Sequence, residues 1–133
     1  MGDNMECIAL TGMAERVITE LRNNHPLTIE VRSPHNFFAA YNANVGDFIF
    51  ITHVSPEDLR GGSMGIVAKV LKHQVVTHRI VQSNDSFYEE RETTMLRIQL
   101  EPRFVARVRR VTSNQICTAT KVDVEEIPFF NAR

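Results

Sequence analysis

The sequence predicts a mainly β domain of the α+β class: a small β-barrel of six to seven strands, with one N-terminal helix covering an end. Three observations point there. Apolar residues recur at helical spacing in one convincing stretch only, residues 12–23. From residue 28 onward they alternate with polar residues, or form short runs bounded by Gly, Pro, Asn and Ser, which is the strand pattern. Strands are not separated by further helical patterns, so no alternating βαβ organisation is expected.

In chain order, residues 5–11 (MECIALT) read as the first strand. The helix follows. Met13, Val17 and Leu21 stand four apart with Ala14 and Ile18 beside them, one apolar stripe, while Glu15, Arg16, Thr19, Glu20 and Arg22 take the other side. Thr11 or Gly12 is placed to cap its start, and Glu15 puts a negative charge in the first turn, where it suits the helix dipole. Asn23-Asn24-His25-Pro26 stops it, because the residue before Pro avoids the helical region. Residues 28–32 form the next strand and Ser33-Pro34-His35-Asn36 a polar closing cluster; residues 37–41 are short enough to be strand or helical turn.

Asn44–Asp47 reads as a turn in which Gly46 supplies a positive φ and Asp47 accepts a backbone N–H. Residues 47–53 are a strand whose centre, Phe48–Ile51, is apolar at every position, so both of its faces are covered. Ser55-Pro56 begins a single helical turn, Ser as cap and Pro at the first position, ended by Gly61-Gly62. Residues 64–71 and 74–81 are two strands, or one bent near Lys72-His73; Ser83–Ser86 is a turn. Strands at 93–101, 103–112 and 116–124 complete the sheet, and the tail IPFFNAR is apolar enough to dock.

Residues 96–109 have a parity. Leu96, Ile98, Leu100, Phe104, Ala106 and Val108 are even-numbered, Arg97, Gln99, Glu101, Arg103, Arg107 and Arg109 are odd, and Val105 is the exception. A straight strand of that length would reach about 40 Å, beyond the usual span, so a sharp bend is expected at Pro102.

The 133 residues make one domain, residues 5–133, with residues 1–4 as an extension. A net charge of −1 argues against a surface that binds nucleic acid everywhere, though not against a local basic patch. Cys7 and Cys117 stand far apart without metal-like spacing. The N-terminal residues carry no export signal and no apolar run approaches a membrane span, so a cytoplasmic, reduced setting and no membrane partner are expected. Oligomeric state is open, with a homodimer among the options.

No cofactor is expected. The five histidines form no HxH or HxxxH pair, and CxxC is absent, so no metal site is expected. No nucleophile elbow occurs, and RGGSMG has Met where a phosphate loop needs Lys. The strongest basic feature is residues 97–110, five arginines against one acid, Glu101, a local charge of +4. Such a face suits phosphates. It reads more readily as a solvated strand face paired with Glu89, Glu90, Glu92, Asp123, Glu125 or Glu126. Base-stacking aromatics could come only from FYEE or from Phe37, Phe38 and Tyr41.

Glu30-x-Arg32, followed by Val45-Gly46-Asp47-Phe48-Ile49-Phe50 and then by Gly65-Ile66-Val67-Ala68-Lys69-Val70, resembles the PUA-like barrels. These are the pseudouridine-synthase and archaeosine-transglycosylase domains and their relatives. The ASCH group among them has the signature G-x-K-x-x-E-x-R. Laid on residues 25–32, the chain keeps Glu30 and Arg32 and departs at His25 and Leu27. The chain as a whole, with its MECIALTG opening, also resembles an uncharacterised archaeal family, the domain of unknown function 473. The PUA-like resemblance implies an RNA-binding barrel, and the ASCH resemblance implies hydrolysis of small amides on modified nucleosides. Leu27 stands where that hydrolase pattern has its catalytic Lys, so the hydrolase reading loses its main residue.

The expected function is therefore binding of RNA or a nucleotide-like ligand. The expected site is Glu30 and Arg32, on one side of their strand by i, i+2 spacing, with Ser33, His35 and Asn36, aided by Arg97, Arg103, Arg107 and Arg109. One alternative is an amide or nucleoside hydrolase with Glu30 or Asp47 as base and Lys69 replacing the missing Lys. The other is a protein-interaction module using Ile127–Phe130 or an edge strand.

Overall fold

The computed structural model describes residues 4–113 and 119–128. Six strands and two helices follow in the order β1 (Asn4–Leu10), α1 (Glu15–Arg22), β2 (Leu27–Val31), α2 (Pro34–Tyr41), β3 (Phe48–Ile51), β4 (Met64–Asn84), β5 (Phe87–Ser113) and β6 (Lys121–Glu126), with a 3-10 turn at Pro56–Asp58. The class is mainly β, as the periodicity predicts.

Five strands close a ring of hydrogen bonds. β1 pairs with β3 in parallel, and β3 with β4, β4 with β5, β5 with β6 and β6 with β1 antiparallel. The parallel pair needs a crossover, which the segment α1–β2–α2 provides. β5 changes partner along one edge. Leu96–Leu100 pairs with β2, whereas Ala106–Ser113 pairs with β6. β2 thus hangs outside the ring, and among the described residues one of its edges meets no strand.

Two buried clusters lie on the two faces of this wall. Cys7, Ala9, Phe50, Val67, Ala106, Val108, Val122 and Val124 come from all five ring strands and fill the ring. Ile49, Ile51, Ile66, Ala68, Val70, Leu96, Ile98 and Leu100 face the other way and pack with Ile18 and Leu21 of α1, Ala39 and Ala40 of α2, and Ile29 and Val31 of β2. The all-apolar run of β3 is explained: Phe50 enters one cluster and Ile49 and Ile51 the other.

The two strands expected at residues 93–101 and 103–112 are joined into one. β5 is one strand of 27 residues, carried past Pro102 by a bulge. Phe104 pairs with Val67 and Pro102 with Ala68, so Arg103 is the extra residue. The bulge exchanges the faces: Leu96, Ile98 and Leu100 look toward the helices, whereas beyond Arg103 Ala106 and Val108 look into the ring. Val105, the exception in the parity, is the residue that keeps the helix side. β4 is likewise a single strand, with a register shift between Val70 and Lys72 near the expected bend.

Other boundaries move for local reasons. α1 begins at Glu15 with Ala14 as N-cap and no side-chain cap, because Gly12 is left-handed (φ 61°) and the N–H groups of Gly12 and Met13 donate instead to the carbonyls of Val54 and Thr52. Residues 37–41 are helical. α2 opens at Pro34 under a Ser33 cap whose hydroxyl accepts the Asn36 N–H at 3.4 Å, so a second helix stands where a loop and an ambiguous run were expected. The Asn44–Asp47 turn is as expected: Gly46 has φ 94°, and an Asp47 carboxylate oxygen accepts the Asn44 N–H at 2.8 Å. β6 begins at Lys121, later than the strand expected from residue 116; residues 114–118, including Cys117, lie outside the described residues. Ile127 packs on the helix-side core and its N–H donates to the Val105 carbonyl, whereas Phe129 and Phe130 lie outside the described residues.

Past the ring, β4 and β5 continue as a two-stranded ribbon, paired from Gln74–Arg97 out to Asn84–Phe87. Among the described residues no helix is long and apolar enough to cross a membrane.

Candidate ligand-binding cleft

The free edge of β2 and the polar side of α1 bound a cleft of about 850 Å³. Every residue from Leu27 to Ser33 lines it, as a groove along a strand edge requires, since alternate residues point to opposite faces. Met13, Val17, Leu27 and Ile29 give it apolar walls, and all four pack on the helix-side core. Arg16, Arg32 and Arg97 reach it from α1, the end of β2 and β5, with Glu20 and Glu30 as the acidic residues.

Glu30 is the electrostatic centre. Its two carboxylate oxygens accept from Arg97 at 2.9 Å and from Arg32 at 3.3 Å. The Arg97 hydrogen bond above all, then the two positive charges, hold the Glu30 carboxyl below the usual carboxylate range. Tertiary structure creates this bridge, because β2 pairs with β5 in a register that sets Glu30 opposite Arg97. Arg16 forms no ion pair among the described residues. Sequence reasoning placed it on the polar side of the helix but not at a site. The signal was there, since Arg16 and Glu20 are one turn apart on that side.

The sequence matches, over residues 5–122, the family described as a protein of unknown function, DUF473. The chain belongs to DUF473. An uncharacterized protein of Methanocaldococcus jannaschii is 33% identical to it over 100 residues, 75% of this chain and 62% of the relative. The chain therefore aligns with less than two thirds of that archaeal protein's length. No solved structure matches.

In this DUF473 chain the remaining expected site residues scatter. Ser33 and Asn36 line the cleft, but the Asn36 amide is buried and committed to the backbone of Thr11. His35 turns away to bond the Thr120 hydroxyl at 2.8 Å. Lys69 sits in register with Phe48 and Glu101, outside the cleft lining. The arginine-rich segment forms no single cationic patch: Arg103 pairs with Glu101, Arg107 with Glu125, and Arg109 and Arg110 share Asp123. Of these arginines only Arg97 reaches the cleft: Arg103, the bulge residue, stands over the Phe48 ring, and Arg107, Arg109 and Arg110 lie on the stretch of β5 that pairs with β6. Phe37, Phe38, Tyr41, Phe87 and Tyr88 are not in its lining. Among the described residues no three His, Cys, Asp or Glu side chains gather to hold a metal ion.

Proposed function

We propose that this protein binds a nucleotide-like ligand, either a free nucleotide or an exposed nucleotide of an RNA, in the cleft between α1 and the open edge of β2. The observation that carries the reading is the convergence of Arg16, Arg32 and Arg97, from three separate elements, on one cleft with apolar walls. Its volume suits a small ligand. Guanidinium forks match phosphate oxygens. The edge of β2 that meets no strand among the described residues offers alternating N–H and C=O groups for the polar edge of a base, and Met13, Val17 and Leu27 offer surface for its face. Glu30 accepts from Arg32 and Arg97 through its two carboxylate oxygens and holds both at the cleft. The resemblance to the PUA-like barrels, which implies RNA binding, points the same way.

The hydrolase alternative has less support, since Leu27 stands where the pattern has Lys and Lys69 lies outside the cleft lining. Titration calorimetry with nucleoside mono-, di- and triphosphates, beside filter binding of bulk tRNA at two salt concentrations, tests the proposal. Saturable, salt-weakened binding is expected, reduced roughly tenfold or more by Arg32→Ala or Arg97→Ala. No saturable binding of any of these ligands overturns it.

A further inference from the structure

We propose that the β4–β5 ribbon is a dimerisation arm, coiled in solution around the same ribbon of a second copy of this chain. An isolated two-stranded ribbon is marginal in water, yet here Gln74–Asn84 and Phe87–Arg97 are fully paired well beyond the ring. Among the described residues the outer edge of β4 beyond Lys72 meets no other strand, nor does that of β5 before Leu96, so both edges present backbone groups outside any ladder. Among its polar residues stand five exposed apolar side chains: Val75, Ile80, Val81, Phe87 and Tyr88 are 44%, 48%, 51%, 55% and 63% exposed. The register puts Ile80 and Phe87 on one face and Val75, Val81 and Tyr88 on the other, so a partner has to cover both faces. A twisted ribbon coiling round another does so.

Charge and area select the occupant. Residues 72–95 carry Lys72, Arg79 and Arg91 against Asp85, Glu89, Glu90 and Glu92, a net charge of −1 with His neutral. Arg79 pairs with Glu90 and Arg91 with Glu89 within the ribbon. A nucleic acid would want an excess of positive charge there, whereas a near-neutral surface of mixed sign meets its own copy without repulsion. At roughly 150–250 Å² for each large apolar side chain, the five exposures leave about 500 Å² of apolar surface per copy. A standard interface buries about 800 Å² per partner, somewhat over half of it apolar, so the ribbon supplies the right amount for one symmetric contact.

Sedimentation equilibrium of the full chain tests this, with the expected mass twice the 15.2 kDa of one chain. The double variants Val81→Glu/Tyr88→Glu and Ile80→Glu/Phe87→Glu should each weaken dimerisation about a hundredfold or more. A chain in which Thr77 is joined to Thr94 through Asn-Gly should be a monomer with the far-ultraviolet dichroism of a folded sheet. A wild-type chain that stays monomeric into the sub-millimolar range overturns the proposal, as does a dimer that survives shortening of the ribbon. A monomer that loses tRNA retention on shortening would overturn it in favour of a nucleic-acid arm.

Discussion

The side-chain amide of Asn36 acts as a missing strand partner for Thr11. Its Oδ1 accepts the Thr11 N–H at 3.0 Å, and its Nδ2 donates to the Thr11 carbonyl at 2.7 Å. This ties the first turn of α2 to the chain just past β1, and both residues are buried. Asn36→Ala is expected to cost about 2–3 kcal/mol in urea unfolding, since it strands two buried backbone groups. Asn36→Asp should be worse at neutral pH than in mild acid, because the ionised side chain faces the Thr11 carbonyl and only the protonated form can donate to it. An Asn36→Asp variant as stable as wild type at pH 7 would dismiss this bridge.

The Thr11 hydroxyl is buried without a hydrogen-bond partner among the described residues. Thr11→Val keeps the shape and removes the unmet polar group, so it should be neutral or raise stability by up to about 1 kcal/mol. A marked loss of stability in calorimetry would mean that the hydroxyl is satisfied in solution.

Gly65 marks a close approach of strands. A Cβ there would overlap the Ile51 carbonyl oxygen and come within 2.6 Å of the Phe50 ring. Gly65→Ala should destabilise by roughly 2–4 kcal/mol, because backbone rather than a flexible side chain has to move. Thermal unfolding of that variant is the direct measurement.

Glu30 should titrate below an ordinary glutamate. Its native pKa is depressed by Arg97 and Arg32, so its contribution to stability is present above the unfolded glutamate pKa and is lost as pH falls through the lower native value. Carbon-detected NMR of the Glu30 carboxyl reads the midpoint directly. Glu30→Gln removes the anion between two guanidiniums, so phosphate-bearing ligands should bind about threefold tighter or better in the proposed cleft. Weaker binding would assign Glu30 to the ligand rather than to the arginines.

Cys7 should be inert in the native protein. Burial inside the ring, then the charges of Asp123 and Glu6, push its thiol up to about 12. The thiol of the unfolded chain ionises near 8.5, so Cys7 favours the native state below that pH and its contribution fades as pH rises toward 12. In a Cys117→Ser variant, a thiol reagent at pH 8 should leave native Cys7 untouched and label it rapidly in urea. Rapid labelling without denaturant would show the ring interior to be open.

Where a local pattern sufficed, the sequence was legible. The stripe of Met13, Val17 and Leu21 marks α1, the turn at Gly46-Asp47 follows from φ and one carboxylate, and the continuous apolar run of β3 implies two covered faces. α2 was half legible. Ser33-Pro34 carries the same cap signal that marks Ser55-Pro56, but Phe37–Tyr41 has no face of its own, and the Asn36–Thr11 bridge that docks it joins residues 25 positions apart.

The sequence by itself determined a mainly β domain with an N-terminal helix, and the presence of Glu30 and Arg32 on one side of a strand. Only the tertiary structure decided that β5 runs unbroken past Pro102, that Arg97 comes to Glu30 while Arg103, Arg107, Arg109 and Arg110 pair elsewhere, and that Arg16 faces them across a cleft. Periodicity reports which face a residue takes within its own element. Strand register and bulge position are set by contacts between distant segments, and those contacts place every charge in the cleft.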